Sequence, residues 1–347
     1  MFTPIEFDPV IRQDAQEYVE SGGDPFPNCA VLGASGLLGS YLLDFISTVN
    51  SLSASKSAVL GFSRSMTRHL RSLSSRPGVA IHDFKVLEEV GRKIDKLHII
   101  HAASPASIKQ VSSNSQSLIE SNLLLTERLF QTLEGTGGRV TYFSSGEVYG
   151  DSPNLPTAES DYGGFDHLGS RGLYPEVKRF TELMTKLWSE RTGVPATILR
   201  IFHTFGPGLR ADDNRVFADA IFSLVNGGDI ILRSNGQARR SFMYSSDLAH
   251  AVRCSWGDKP FKVLNVCGEP ELTILDFANL VSQNRPGCSV LTSSDGADSE
   301  TPESPIMRGL GDTSMLRSFN WRPRVTIESA IAKTIESVEW RILNGWS

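Results

Sequence analysis

From Asn28 onward, short apolar runs alternate with stretches of helical periodicity: CAVLGA, then GLLGSYLLDFISTV, SAVLGFS, GVAIHDF and LHIIHAA. The short runs lack polar alternation, which is how a strand buried on both faces reads. Such runs separated by helices bury their apolar faces as βαβ units, so an α/β fold with a doubly wound parallel sheet is expected. The alternation continues with a helix over 117–133, a strand at RVTYFSS, a Pro- and Gly-rich loop over 150–173, a helix over 175–192 and a strand at PATILRIF. After Gly206-Pro207 the elements shorten, which predicts a smaller second α/β domain over 203–347, exchanging some chain with the first domain over 28–202. Residues 1–27 form a helical extension, with Asp8 as N-cap, Pro9 at the first helical position and Gly22-Gly23 as a stop. This helix is expected to pack on the domain that follows it. The Ser-rich stretch 292–305 reads as an exposed loop.

With 347 residues, 40% apolar and 21% charged, the chain is long enough for a sizeable core. A net charge of −5 argues against a nucleic-acid partner, because such proteins carry a basic face. Cys29, Cys254, Cys267 and Cys288 stand far apart with no CxxC pair, giving neither a metal-site spacing nor a disulfide framework, so a reducing cytoplasm is expected. The first twenty residues carry several acids and no continuous apolar stretch, unlike a signal or transit peptide. No window approaches the roughly 18 apolar residues that a membrane span requires.

Gly33, Gly36 and Gly39 form GxxGxxG directly after the first apolar run and at the start of a helix. The first two glycines allow a tight turn and close approach of the backbone to a pyrophosphate at the helix N-terminus; the third allows helix and strand to pack closely. The following strand normally ends in an acid that holds the adenosine ribose. Here no Asp or Glu lies between Asp44 and Asp83, and the strand runs into Ser63-Arg64. Arg64 faces either solvent or a 2′-phosphate, and the missing acid tilts the balance to NADP over NAD. Asp83-Phe84, after the third strand, is placed to meet the adenine. Ala102, Ala103 and Ser104 end the fourth, where small residues let the backbone pass beside a cofactor.

Tyr174 and Lys178 stand four apart, on one face of the helix that begins there. An ammonium beside a phenol, joined by the positive charge of an oxidised nicotinamide, would lower the phenol pKa toward working pH and make Tyr174 a general base. A YxxxK pair arises easily by chance. What singles this one out is YFSSGEVYG, which puts Ser144-Ser145 at the C-terminal end of a buried strand, where open α/β sheets place their sites.

Taken in order, GASGLLGS, HAAS, Asn122, SSGEVYG, YPEVK, RIFHTFGPG, RRSFMYSSDLA, NVCGEPELTILDFA and NWRPRVTIESAI resemble the extended short-chain dehydrogenases/reductases that act on nucleotide sugars, from about residue 28 to the end. Among them the chain is most similar to UDP-glucuronate decarboxylases and nucleotide-sugar 4,6-dehydratases. The resemblance implies a Rossmann domain, a bound NAD(P), a nucleotide-sugar substrate and a homodimer whose four-helix interface uses the helices near 117–133 and 175–192, with Leu123, Leu124 and Phe130 needing cover. It assigns Ser35, Leu37, Leu38, Ser104 and Asn122 to the dinucleotide together with the glycines, Tyr174 and Lys178. Ser145 resembles the residue that hydrogen-bonds the sugar 4-oxygen, and Ser104 lies near the same substrate. Glu147 matches the glutamate of SxxEVYG in those two subfamilies. Gly146 departs from the pattern, because dehydratases often carry Asp there to protonate a departing 6-hydroxyl and decarboxylases carry Ser. Arg240 resembles the arginine that meets the diphosphate or a uronate carboxylate. His203 replaces the usual substrate-binding Asn, and Arg215 and Arg308 are further substrate candidates. No metal is implied.

The resemblance implies oxidation at sugar C4 followed by dehydration, decarboxylation or epimerisation of the 4-ketone. A NADPH-dependent 4-ketosugar reductase is the alternative among enzymes, favoured by Arg64 and Gly146. A non-catalytic dinucleotide-binding protein is the alternative outside them, opposed by the presence of Ser145, Tyr174 and Lys178 together.

Overall fold

A computed structural model describes residues 8–105, 111, 114–169, 172–257, 259–292 and 307–346. Helix α1 (Pro9–Glu20) begins as expected, with Asp8 accepting from the Val10 N–H at 3.1 Å and Pro9 in the first turn. Strands β1 (Cys29–Leu32), β2 (Val59–Phe62) and β3 (Val79–His82) alternate with α2 (Leu37–Leu52) and α3 (Arg68–Ser74). Next come α4 (Leu87–Gly91), β4 (His98–His101), and a helical stretch formed by α5 (Ser115–Ile119), a π-helical turn (Glu120–Leu124) and α6 (Leu125–Leu133). Strand β5 (Arg139–Ser145), helix α7 (Leu173–Thr192) and β6 (Ala196–Ile201) complete the run.

Together with β10 (Phe261–Val266), these six strands form a seven-stranded sheet in the order β10-β6-β5-β4-β1-β2-β3, in which every neighbouring pair is parallel. Its seventh member, β10, comes from beyond residue 203 and pairs with β6, so the sheet draws on both halves of the chain. The strand order reverses at β1, between β2 and β4, and a crevice at the C-terminal strand ends follows from that reversal.

A second lobe forms around β7 (His203–Phe205), α8 (Val216–Val225), β8 (Ile230–Leu232) and β9 (Arg239–Tyr244), while α9 (Ser245–Cys254) returns to pack on α2. After β10 come β11 (Glu271–Thr273), α10 (Ile274–Ser282), β12 (Val290–Thr292), β13 (Arg308–Gly309), α11 (Ser314–Arg317) and α12 (Ile327–Leu343). Strand β9 pairs antiparallel with β11 and parallel with both β7 and β13. Its core is aromatic: Phe205, Phe217, Phe242 and Phe277 are fully enclosed, and the Phe242 and Phe277 rings stack at 4.2 Å. Most of the Ser-rich stretch, residues 293–306, lies outside the described residues.

Beyond the expected packing on α2, α1 joins the two lobes. Buried Asp14 accepts from Tyr41 Oη of α2 and from Tyr244 Oη of β9, both at 2.8 Å, and from Lys333 Nζ of α12 at 2.9 Å. Asp8 accepts from Arg341 Nε at 2.7 Å. Among the described residues no helix is long and apolar enough to cross a membrane, and no cluster of three or more potential metal ligands occurs.

Candidate active site

The glycine turn divides its labour. Gly33 adopts φ +84°, and a Cβ there would stand 2.6 Å from Ala103 Cα, so this glycine lets the ends of β1 and β4 meet. A Cβ on Gly39 would stand 2.2 Å from Gly33 O, so the third glycine lets α2 press on the turn. Gly36 caps α2, its N–H bonding Gly33 O at 2.9 Å, and that oxygen, at 3.4 Å, is all its Cβ would meet. No side chain caps the first turn of α2, whose N–H groups and positive dipole end form a cradle for a phosphate. The residues present fit a dinucleotide. Leu38 reaches the main cavity from this same turn.

At the end of β2, buried Ser63 meets Ser35 Oγ at 2.9 Å and ties the glycine turn to the next loop. Arg64 is exposed and donates to Ser117 Oγ at 3.0 Å. Asp83, also exposed, caps the turn Phe84–Val86 through the Lys85 N–H at 2.8 Å, and Phe84 stacks on Phe62. After β4, Ser104 Oγ accepts from Asn122 Nδ2 at 3.1 Å, while Asn122 Oδ1 accepts from Tyr142 Oη at 2.9 Å. Asn122 is fully buried because the π-helical turn carries it there; such turns are frequent at functional sites.

Strand β5 delivers Ser145, whose Oγ accepts from the Glu147 N–H at 3.2 Å and starts the turn Gly146–Tyr149. Helix α7 starts two residues earlier than its periodicity suggests, placing Tyr174 and Lys178 in its first two turns. Lys178 Nζ donates to Phe143 O at 2.7 Å and lies 5.8 Å from the Tyr174 ring centre. Burial pulls the Lys178 ammonium down to about 7. Tyr174 is pulled both ways. Burial first and the Glu147 carboxylate second hold its phenol above the ordinary value, opposed by a hydrogen bond with Ser145 and by Arg215. The protein's own groups therefore disfavour the phenolate, and lowering it requires added positive charge.

Ser104, Ser145, Glu147, Tyr174 and Lys178 line one cavity of about 180 Å³ at the C-terminal strand ends, and His203, Arg215 and Arg240 close it from the second lobe. Arg215 is paired through Nε to Asp213 Oδ1 at 2.8 Å and lies 4.6 Å from the Phe217 ring centre. Arg240 is buried, with Nη1 donating to Arg239 O at 2.8 Å.

Two expectations need correction. Arg308 does not line this cavity; it is exposed and bonds Glu271 at 2.7 and 2.9 Å beside Arg239, because β13 turns its side chain toward β11. Phe130 needs no cover from a partner, since it is fully buried against Trp188.

Sequence reading missed two features. A Cβ on Gly146 would stand 2.8 Å from the Phe202 ring, and one on Gly311 2.7 Å from it, so Phe202 fills the place of the absent 146 side chain. Behind the site, Ser144 Oγ donates to Glu182 at 2.5 Å, Arg200 grips that carboxylate at 2.7 Å, and Tyr149 Oη joins Arg200 to Asn265. The only local signal for Glu182 is its position four residues after Lys178.

Residues 29–267 match the model of the NAD dependent epimerase/dehydratase family. The chain belongs to that family. UDP-glucuronic acid decarboxylase 1 of Xenopus tropicalis is 27% identical over 308 residues, which cover 88% of this chain and 70% of that protein. The solved UDP-N-acetylglucosamine 4-epimerase of Methanobrevibacter ruminantium has a TM-score of 0.76 at 22% identity, covering 92% of this chain and all of that one, 100%. UDP-glucuronic acid 4-epimerase of Bacillus cereus, solved with UDP-glucuronic acid and NAD, has a TM-score of 0.73 at 19% identity, covering 90% of this chain and 99% of that one. The two structural likenesses show the fold, and the extended short-chain dehydrogenase/reductase reading is borne out. Nucleotide-sugar enzymes of this family do not favour the simple reductase alternative.

Proposed function

We propose that the protein oxidises C4 of a nucleotide-linked hexuronate and then releases its C6 carboxylate as carbon dioxide. The observation that carries this reading is the Glu147 side chain in the same cavity as Tyr174, next to a position 146 that has no side chain and is filled by Phe202. Dehydration at C6 needs an acid to protonate a departing hydroxyl, and position 146 offers none. Decarboxylation needs no such acid: a ketone at C4 makes the C6 carboxylate a β-keto acid, and the C5–C6 bond breaks with its electron pair left on C5. The decarboxylase relatives support the same choice.

In this reading Gly33, Ser35, Gly36, Leu37, Leu38 and Gly39, with Ser63, Arg64, Asp83, Phe84, the segment Ala102–Ser104 and Asn122, hold the dinucleotide. When bound, it would supply the reversible hydride acceptor that oxidation and re-reduction at C4 require. Tyr174 takes the proton of the 4-hydroxyl and Ser145 orients that oxygen. Lys178 supplies positive charge to a phenol that the protein otherwise holds up. Glu147, taking up a proton from solvent, passes it to C5 after the carboxylate has gone, and Tyr174 returns its proton to the 4-oxygen when C4 is reduced again. His203, Arg215 and Arg240 bind the anionic groups of the substrate, as bidentate guanidinium groups suit phosphate and carboxylate.

The test is incubation with UDP-glucuronate and NAD or NADP, with mass analysis of the product. Loss of carbon dioxide supports the reading; an isomer of unchanged mass would turn it into 4-epimerisation. We propose a homodimer as well, through α7, where Phe180, Leu183 and Leu187 are about half exposed beside Leu124. Sedimentation at micromolar concentration decides it, and a monomer would refute it.

A further inference from the structure

Helix α7 carries a third ionisable side chain in register with Tyr174 and Lys178. Glu182 lies one further turn along, so all three share a face. It is only 8% exposed. Two strands grip its carboxylate: Ser144 Oγ of β5 at 2.5 Å, and Arg200 of β6 through Nε at 3.0 Å and Nη2 at 2.7 Å. Ser144 stands between Phe143, whose carbonyl accepts from Lys178 Nζ, and Ser145. The carboxylate that fixes the end of β5 also lies close enough to the ammonium for its charge to act there.

Among the described residues, the other groups named around Lys178 offer it no negative charge. Tyr142 presents its ring, 4.9 Å from Nζ to the ring centre, and Tyr174 presents a phenol. His101 of β4 is held neutral, its pKa pushed down to about 3 by burial and then by Lys178 itself. Arg200 is a like charge, spent on Glu182 and on Tyr149 Oη at 2.8 Å. Burial drives Lys178 toward its neutral form, and Glu182 opposes that.

We infer that Glu182 is a positioning residue that holds Lys178 charged and the end of β5 in register without touching the substrate. The inference rests on the reading of Lys178 as the partner of Tyr174. Glu182→Gln alone leaves the largely enclosed Arg200 without its counter-charge and invites misfolding. The informative variant is Glu182→Gln with Arg200→Met, which removes both charges, compared with Glu182→Asp, which keeps the carboxylate.

With the full chain and its dinucleotide, kcat/KM for cofactor reduction is measured against pH. In the double variant the alkaline limb is expected about one unit lower, so that activity at pH 8 falls roughly tenfold while activity near pH 6 falls only about twofold. Glu182→Asp should keep the original profile. An unshifted limb in the double variant, or an equal shift in Glu182→Asp, would overturn the inference. A protein that reduces no cofactor with any nucleotide sugar would sink the proposed function instead. In that case a ¹⁵N NMR titration of the Lys178 ammonium, assigned with Lys178→Met, still decides: a lower pKa in the double variant supports the role of Glu182, and an unchanged one removes it.

Discussion

The two walls of the cavity are built differently. On the sheet side, Ser145, Tyr174 and Lys178 come from one strand end and one helix, and Lys178 is fastened to backbone by its bond to Phe143 O. On the second-lobe side, His203, Arg215 and Arg240 come from three separate segments, and Arg215 is paired with Asp213, two residues away. A group fastened to backbone keeps one geometry, whereas an arginine paired with a nearby, partly exposed carboxylate can exchange it for a ligand anion. Under the proposed function the difference becomes a division: the sheet wall would serve bond making and breaking, and the second-lobe wall grip. Sheet-wall substitutions should therefore lower kcat, and second-lobe substitutions should raise KM.

The sharpest break would come from Tyr174→Phe. Removing the phenolic oxygen should cut cofactor reduction by about 10²- to 10⁴-fold, the usual range for a lost general base, with substrate binding little changed. Cofactor reduction at the normal rate in a single-turnover assay would end the role of Tyr174. Glu147→Gln should come next. It should reduce the cofactor at a near-normal rate yet form final product about 10²-fold more slowly, accumulating a 4-keto species detectable by mass; full product formation would make Glu147 a bystander.

A smaller effect is expected across the cavity. Arg215→Ala should raise KM about tenfold with kcat nearly constant, the loss of one charge-assisted contact. If kcat fell instead, the two walls would not be divided as described. The smallest effect belongs to the dinucleotide. We propose a preference for NADP, so Arg64→Ala should weaken NADP binding several-fold by calorimetry and leave NAD untouched, a modest change because Arg64 is exposed. Equal or tighter binding of NAD by the unaltered protein would remove the preference.

What the sequence settled by itself is everything encoded within a few residues. Apolar runs named the buried strands, the spacing of Gly33, Gly36 and Gly39 named the turn, and the spacing of Tyr174 and Lys178 put them on one helix face, because periodicity and backbone sterics act locally. Helix α1 was legible for the same reason, from Asp8 and Pro9. The tertiary structure alone decided what depends on segments far apart meeting. Nothing near Gly146 announces that Phe202, from the end of another strand, takes its space. Nothing near Arg308 announces Glu271, and nothing near Asp14 announces Tyr244. Nor does residue type reveal that burial and Glu147 raise the Tyr174 phenol, since a pKa reports solvent exclusion and neighbouring charge, both products of packing.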